Sequence, residues 1–532
     1  MLAFFGESVS RKVGAAALVF VVGLANQASA QVTAFKQALA EAASKDKDIA
    51  AFYQAENYEP LWTTANAQRR NALFAAIENA GTYGLPASSY DANGLKAKLA
   101  AAKSPRDRGI VEVEMAKTFL ALARDMQTGV LTPRKVDSGI VREVPLRDRT
   151  SYLTSFKKST PASFFRALPP KTAEYARLLK AKMALEADRA KGGWGAPVPA
   201  KSLKLGAQGA AVVALRNRLM AMGYLGRSNG QAYDADMQKA VQLFQLRNGL
   251  EPDGVVGEGT MAEINRSTED RLKSVLVAME RERWFNQERG ERHILVNITD
   301  FTAKIIDHDK VTFENRSVVG AVKEGQYTPE FSDVMEFMVI NPTWNVPRSI
   351  TVKEYLPMLQ RNPNAAGHLK ITDARGRAVS RSEINFSAYN ERTFPFDMKQ
   401  PPSDGNALGL VKFMFPNPYN IYLHDTPSKS LFAREVRAFS HGCVRLSQPF
   451  DFAYALLAKQ TSDPVGFFKA KLNTGQETSV MLEKPVPVHL IYRTAFTDAK
   501  GGVHFRRDIY GRDAKIWNAL SQAGVALGGE RG

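Results

Sequence analysis

The hydrophobic period of this chain changes near residue 290, and that change commits it to a helical part followed by a β-rich part. Before it, apolar residues recur every three or four positions. "QVTAFKQALAEAASKDKDIAAFYQAEN" shows the pattern, and "GIVEVEMAKTFLALARDMQTGVLTP" repeats it and stops at Gly129 and then Pro133. After it, residues alternate. "RHILVNITDFTAKIIDHDKVTFENRSVVG" reads as a strand, a hairpin around Asp307–Lys310 and a second strand. "VMEFMVINPTWNVP" and "NPYNIYLHDT" read as further strands, and "PVPVHLIYRTAFTD" and "GGVHFRRDIY" follow after a helix. At 532 residues the chain exceeds a single core. The fold class expected is therefore multidomain α+β.

Two further segments stand apart. Residues 203 to 265 form a compact unit: a glycine turn, a helix with Val212, Leu215 and Leu219 on one face, then a helix with Asp234 as N-cap and Met237, Val241 and Phe244 inward. "EPDGVVGEGTMAEIN" adds a Pro-Asp-Gly turn and a third short helix. Residues 348 to 408 are rich in proline, asparagine and glycine and separate two strand signals, which reads as a lid or binding insertion.

The start of the chain bears on the chemistry. Arg11 and Lys12 precede an apolar run from Val13 to about Ala25, and Ala28-Ser29-Ala30 offers small residues for cleavage. This reads as a secretory signal over residues 1–30, and the run is short against the roughly 20 residues a bilayer span needs. The expected location is the periplasm. Exported proteins use cysteines in pairs, yet this chain has one, Cys443. An unpaired thiol in an oxidising compartment points to a reactivity that is used. The formal charge of +17 favours anionic envelope material, and export argues against nucleic acid as a partner.

Cys443 lies in "NIYLHDTPSKSLFAREVRAFSHGCVRLSQPFDFAYALLAKQ". Phe450, Ala453, Leu456 and Leu457 follow helical spacing with Ser447 as candidate N-cap, so Cys443 is expected in a loop just before a helix. Gly442 permits unusual backbone angles there, and Arg445 with the helix start should favour a thiolate. A nucleophilic cysteine needs a base. Of the seven histidines, His424 is the better candidate, at the end of an alternating stretch nineteen residues earlier. His441 is better placed to shape the loop or support the oxyanion, which the Gly442 and Cys443 N–H groups are placed to hold. Tyr422, on the same strand face as His424, is a candidate pocket wall or an ordinary packing residue. Ser440 and Arg445 complete the candidate substrate-binding set. A buried structural cysteine remains open, as does a zinc site of His424, His441 and Cys443, although that spacing matches no familiar ligand pattern. Neither a metal nor a cofactor is expected.

His424, fifteen residues, then Ser440-His441-Gly442-Cys443 with Arg445 resembles the signature of the L,D-transpeptidase (YkuD-type) catalytic domain. "FYQAENYEPLW", "RERWF", "INPTWNVP", "NALGLVKFMFPNPYNIYLHDTP" and "DIYGRD" resemble its large YcbB-like branch, and "FQ" with "DGVVGEGT" resembles the three-helix peptidoglycan-binding module. The resemblance implies a signal peptide at 1–30, a helical scaffold at 31–200, a peptidoglycan-binding-like module at 201–267 and a scaffold return helix at 268–289. It further implies a β-rich catalytic domain at 290–500 with its lid insertion at 348–408, and a C-terminal extension at 501–532. It implies 3-3 cross-linking of peptidoglycan through a Cys443 thioester, with tetrapeptide stems as donor and acceptor and with carbapenems as inhibitors. Water or an envelope protein's amine are the alternative acceptors, giving an L,D-carboxypeptidase or an anchoring enzyme. A non-catalytic murein-binding protein is the alternative of another class.

Overall fold

The computed structural model describes residues 33–528. The expected signal at 1–30 lies outside them. Among the described residues no helix is long and apolar enough to cross a membrane.

The N-terminal part is helical, and its axis is the 24-residue helix Pro105–Thr128. Ser104 and Asp107 form a capping box at its start, and the chain leaves it at Gly129. Trp62, Phe119, Phe156, Phe164 and Phe165 make its aromatic core. Glu112, fully buried on this helix, accepts the Tyr53 hydroxyl at 2.8 Å and the backbone N–H groups of Leu61, Trp62 and Thr63. One carboxylate thereby fixes the whole "FYQAENYEPLW" stretch. A buried charge is tolerable only when hydrogen-bonded this fully.

The helices Ala210–Ala221, Ala235–Arg247 and Glu258–Ile264 form a small unit with its own core. Asp234 caps the second by accepting the Met237 N–H at 2.8 Å. Gln245 explains the "FQ" and "DGVVGEGT" signals: its amide donates to Asp253 at 2.8 Å and to the Val255 carbonyl at 2.9 Å, and its oxygen accepts the Gly254 N–H at 2.8 Å. The helix Thr268–Trp284 then returns, buried along most of its length. The "RERWF" residues are the ionic joint of the molecule. Arg281 pairs with Glu330 at 2.6 Å and Asp513 at 2.8 Å, Arg283 with Glu280 at 3.0 Å, and Glu282 with Arg289 and Arg493.

The β-rich part contains β1 (Arg292–Asn297), β2 (Thr302–Asp307), β3 (Lys310–Gly320), β4 (Phe331–Ile340), β5 (Trp344–Asn345), β6 (Lys370–Thr372), β7 (Asp397–Gln400) and β8 (Val411–Met414). It continues with β9 (Leu423–His424), β10 (Ala438–Ser440), β11 (Val444–Leu446), β12 (Thr478–Ile491), β13 (Ala495–Thr497) and β14 (Val503–Phe505). Nine of these form one sheet in the order β10-β3-β11-β9-β8-β4-β12-β1-β2, and β2 also pairs with β3, so the sheet closes on itself. The hairpin at Asp307–Lys310 turns through His308 and Asp309, both at positive φ (47° and 61°). The stretch before it, read from sequence as one strand, is two. Residues 298–301 break it, with Phe301 at φ 53°, so β1 and β2 pair antiparallel.

Residues 348 to 408 are not loop-like. They fold around a core of Val352, Leu356, Leu359, Ile371, Phe394 and Met398, with the small sheet β5-β7-β6 on one side. Many turn residues flank short elements here, and composition alone does not separate that from a long loop.

Candidate active site

β9 and β11 lie parallel, with Leu423 beside Val444 and His424 beside Arg445. One step back in that register, Cys443 sits beside Tyr422, and the Val444 N–H donates to the Tyr422 carbonyl at 3.1 Å. Gly442 has φ +119°, a conformation L residues rarely adopt, and a Cβ there would meet Ile421 Cδ1 at 3.0 Å. Ser440 Oγ donates to the Cys443 carbonyl at 2.5 Å and accepts the Gly442 N–H at 3.1 Å. Glycine is thus required by the turn itself, and serine is its internal tie.

The sequence expectation that Cys443 directly precedes a helix is not met. β11 intervenes, and the helix Pro449–Leu457 starts six residues on with Gln448 as its cap. Ser447 instead donates to Asn315 Oδ1 at 2.7 Å. The start of that helix is therefore not adjacent to the thiol in the chain. Crowding by protein pushes the Cys443 pKa up to about 11, against hydrogen bonding from Tyr422 and the charge of Arg445, which both favour the thiolate. The residue keeps partial solvent exposure. Its Sγ–H donates to the Asn420 carbonyl at 3.5 Å.

His424 is buried, and its Nδ1 meets the Asp425 carbonyl. Burial and then the Arg445 charge push its pKa down to about 3, although the carbonyls of Asp425 and Leu408 favour the protonated form. The imidazole is therefore neutral at pH 7. Among the described residues no hydrogen bond joins it to Cys443 Sγ. The Tyr422 ring lies against it at 5.6 Å and also packs on the insertion core, so Tyr422 links sheet, sulfur and insertion.

His441 is partly exposed and reaches outward, its Nε2 lying 2.6 Å from Glu354 Oε1 of the insertion. Glu354 belongs to a π-helical turn, Thr351–Tyr355. His424 Nδ1 faces a carbonyl and His441 faces Glu354, and among the described residues no group of three or more His, Cys, Asp or Glu side chains is placed to hold a metal.

The structure thus gathers Tyr422, Ser440, Gly442, Cys443 and Arg445 around one sulfur, with His424 two residues beyond Tyr422 and His441 at the insertion. Sequence reasoning missed Asn420, Glu354 and Thr328, whose hydroxyl donates to the Gly442 carbonyl at 2.7 Å. Asn420 carried a signal, since asparagine in "NPYN" suits the positive φ of 54° that it adopts. The other two carried none. A cavity of about 420 Å³ opens past the ends of β9 and β11, lined by Asp425, Thr426, Ser447 and Gln448, and Cys443 is not in its wall.

The family described as "L,D-transpeptidase catalytic domain" matches residues 291–466, which contain every one of these groups. Residues 291–466 carry an L,D-transpeptidase catalytic domain. Residues 47–181 match the family described as "Scaffold domain", and residues 208–264 match "Putative peptidoglycan binding domain". The L,D-transpeptidase domain therefore sits in a multidomain α+β chain with a helical N-terminal region and a peptidoglycan-binding domain. A curated protein of Haemophilus influenzae (strain ATCC 51907 / DSM 11121 / KW20 / Rd), named "Putative L,D-transpeptidase", is 32% identical over 229 residues. The match spans 42% of this chain and 45% of that relative, so the chain covers about half the relative's length. A solved L,D-transpeptidase from Xylanimonas cellulosilytica DSM 15894 shares 15% identity, covering 56% of this chain and 100% of its own, at a TM-score of 0.17. A TM-score that low carries no structural argument.

Proposed function

We propose that this protein is a periplasmic L,D-transpeptidase that forms 3-3 cross-links in peptidoglycan through a thioester on Cys443. The observation that carries this reading is the partly exposed Cys443 on a glycine turn, beside Tyr422 and with Arg445 two residues on next to His424. The Cys443 thiolate attacks the carbonyl of the third residue of a donor tetrapeptide stem. The Sγ–C bond forms, the carbonyl oxygen becomes an oxyanion, and the terminal D-alanine leaves as its C–N bond breaks. The side-chain amine of a second stem then attacks the thioester and releases the thiolate. His424 accepts the thiol proton and returns it to the leaving amine, then accepts the acceptor amine's proton. With the thiol near 11 and the imidazole near 3, that transfer is steeply uphill in the resting arrangement. The insertion packs on Tyr422, beside this pair, and is the element placed to alter its surroundings when substrate binds. Arg445, whose Nε is buried without a hydrogen-bond partner among the described residues, suits a donor carboxylate.

The test is mass analysis of muropeptides after the purified protein acts on tetrapeptide-rich sacculi. Dimers joined between two third residues, absent with Cys443→Ala, are expected. Loss of the terminal residue without dimers would make it an L,D-carboxypeptidase. Stem mass on an envelope protein's amine would make it an anchoring enzyme. No change in any of these would leave a murein-binding protein.

A further inference from the structure

The turn from Gly442 to Cys443 has two carbonyls and two amides to place, and three of these four groups are held by side chains. Ser440 Oγ holds the Cys443 carbonyl and the Gly442 N–H. Thr328 Oγ1 donates to the Gly442 carbonyl at 2.7 Å. The fourth, the Cys443 N–H, has no hydrogen-bond partner among the described residues. A trans peptide is planar, with C=O and N–H pointing in opposite directions. Fixing the Gly442 carbonyl therefore fixes the direction of the Cys443 N–H. Gly442 at φ +119° lets the plane take that orientation.

Thr328 has little freedom to do anything else. It is fully buried, and its Oγ1 accepts the Gly320 N–H at 2.9 Å, so its single proton goes to Gly442. The Gly320 carbonyl accepts the Tyr510 hydroxyl at 2.6 Å, and Tyr510 Oη accepts the Thr328 N–H at 3.3 Å. Arg512 donates to the Thr328 carbonyl at 3.1 Å. The "DIYGRD" stretch near the end of the chain thus clamps Thr328 from behind.

We propose that Thr328 is a positioning residue for acyl transfer, holding the Gly442–Cys443 peptide plane so that the Cys443 N–H meets the oxyanion formed on the attacked carbonyl. The proposal rests on the cysteine acyl-enzyme reading above. Oxyanion donors act because they are aimed before charge develops, so an amide free to rock loses much of its effect.

The test compares two reactions at the same sulfur. Alkylation by iodoacetamide needs the thiolate but forms no oxyanion. Acyl transfer from a soluble disaccharide-tetrapeptide needs both. Thr328→Val keeps the side-chain volume and removes the hydroxyl. It should lower kcat for acyl transfer by about 10- to 100-fold, with KM and the pH profile of alkylation unchanged. Thr328→Ser should restore kcat. An unchanged kcat in Thr328→Val, or an equal fall in alkylation and acyl transfer, would overturn the proposal. Should Thr328→Val not fold, Tyr510→Phe decides by the same split between the two reactions. A native protein that alkylates but transfers no acyl group would instead sink the acyl-enzyme reading, which keeps the two failures distinct.

Discussion

His424 and Arg445 stand side by side in register across the parallel strands β9 and β11, so one guanidinium both attracts the Cys443 thiolate and opposes protonation of the imidazole. Arg445→Gln should therefore raise both pKa values together, by about one unit each. The pH dependence of iodoacetamide alkylation reports the thiol, and NMR of the ring reports His424. A shift of either group downward would contradict the pairing.

His424 and His489 should make the folded state acid-sensitive. Burial is the first cause that pushes each of them to about 3, well below the ordinary histidine value of 6.5. Between those values the unfolded chain binds the proton and the folded chain does not, so stability falls as pH drops from 6.5 toward 3. Each residue contributes a slope of about 1.4 kcal/mol per pH unit in the middle of that window. His424→Asn should remove one such slope from denaturant midpoints measured between pH 6 and pH 4. A curve parallel to that of the native protein would mean that His424 is already protonated in the fold.

Gly442→Ala should abolish acyl transfer, by more than about 100-fold, if the turn is what aims the Cys443 amide. The alanine would be strained at φ +119° and pressed to 3.0 Å against Ile421 Cδ1. The strain should cost about 1–3 kcal/mol of stability. Thermal unfolding measured with kcat separates the two effects, and full activity at reduced stability would remove the turn from the mechanism.

Much of the fold was legible because it rests on patterns with one physical meaning. The period change marks the helical and β parts, Asp234 caps its helix, and the His308–Asp309 turn reverses β2 into β3. What sequence hid was spatial. Nothing in "TVKEY" says that Glu354 meets His441, and nothing in "QYTPE" says that Thr328 stands behind Gly442, because each contact spans about a hundred residues. The expectation of a helix directly after Cys443 failed for a related reason. Periodicity located the helix at Pro449, yet the three-residue strand β11 is too short to show an alternation.

Glu354→Ala should loosen the insertion from the turn without unfolding it, since both partners of the His441 pair are partly exposed and such pairs contribute within about 1 kcal/mol. We expect faster amide exchange over residues 351–355 and, where the insertion excludes water, a higher ratio of hydrolysis to cross-linking. Unchanged exchange with an unchanged ratio would show that the pair does not hold the insertion.

β12 lies between β4 and β1 in the closed sheet, yet it begins at Thr478, beyond the last residue of the matched catalytic region. A protein trimmed to residues 291–466 would be a barrel with a stave missing, with β1 and β4 left as bare edges ready to pair with a neighbouring molecule. The same holds for a chain still being made. Until residue 491 arrives, Cys443 stands in a shell that has not closed. Closure of the sheet therefore waits for a strand near the end of the chain, and such non-local pairing is slow to form.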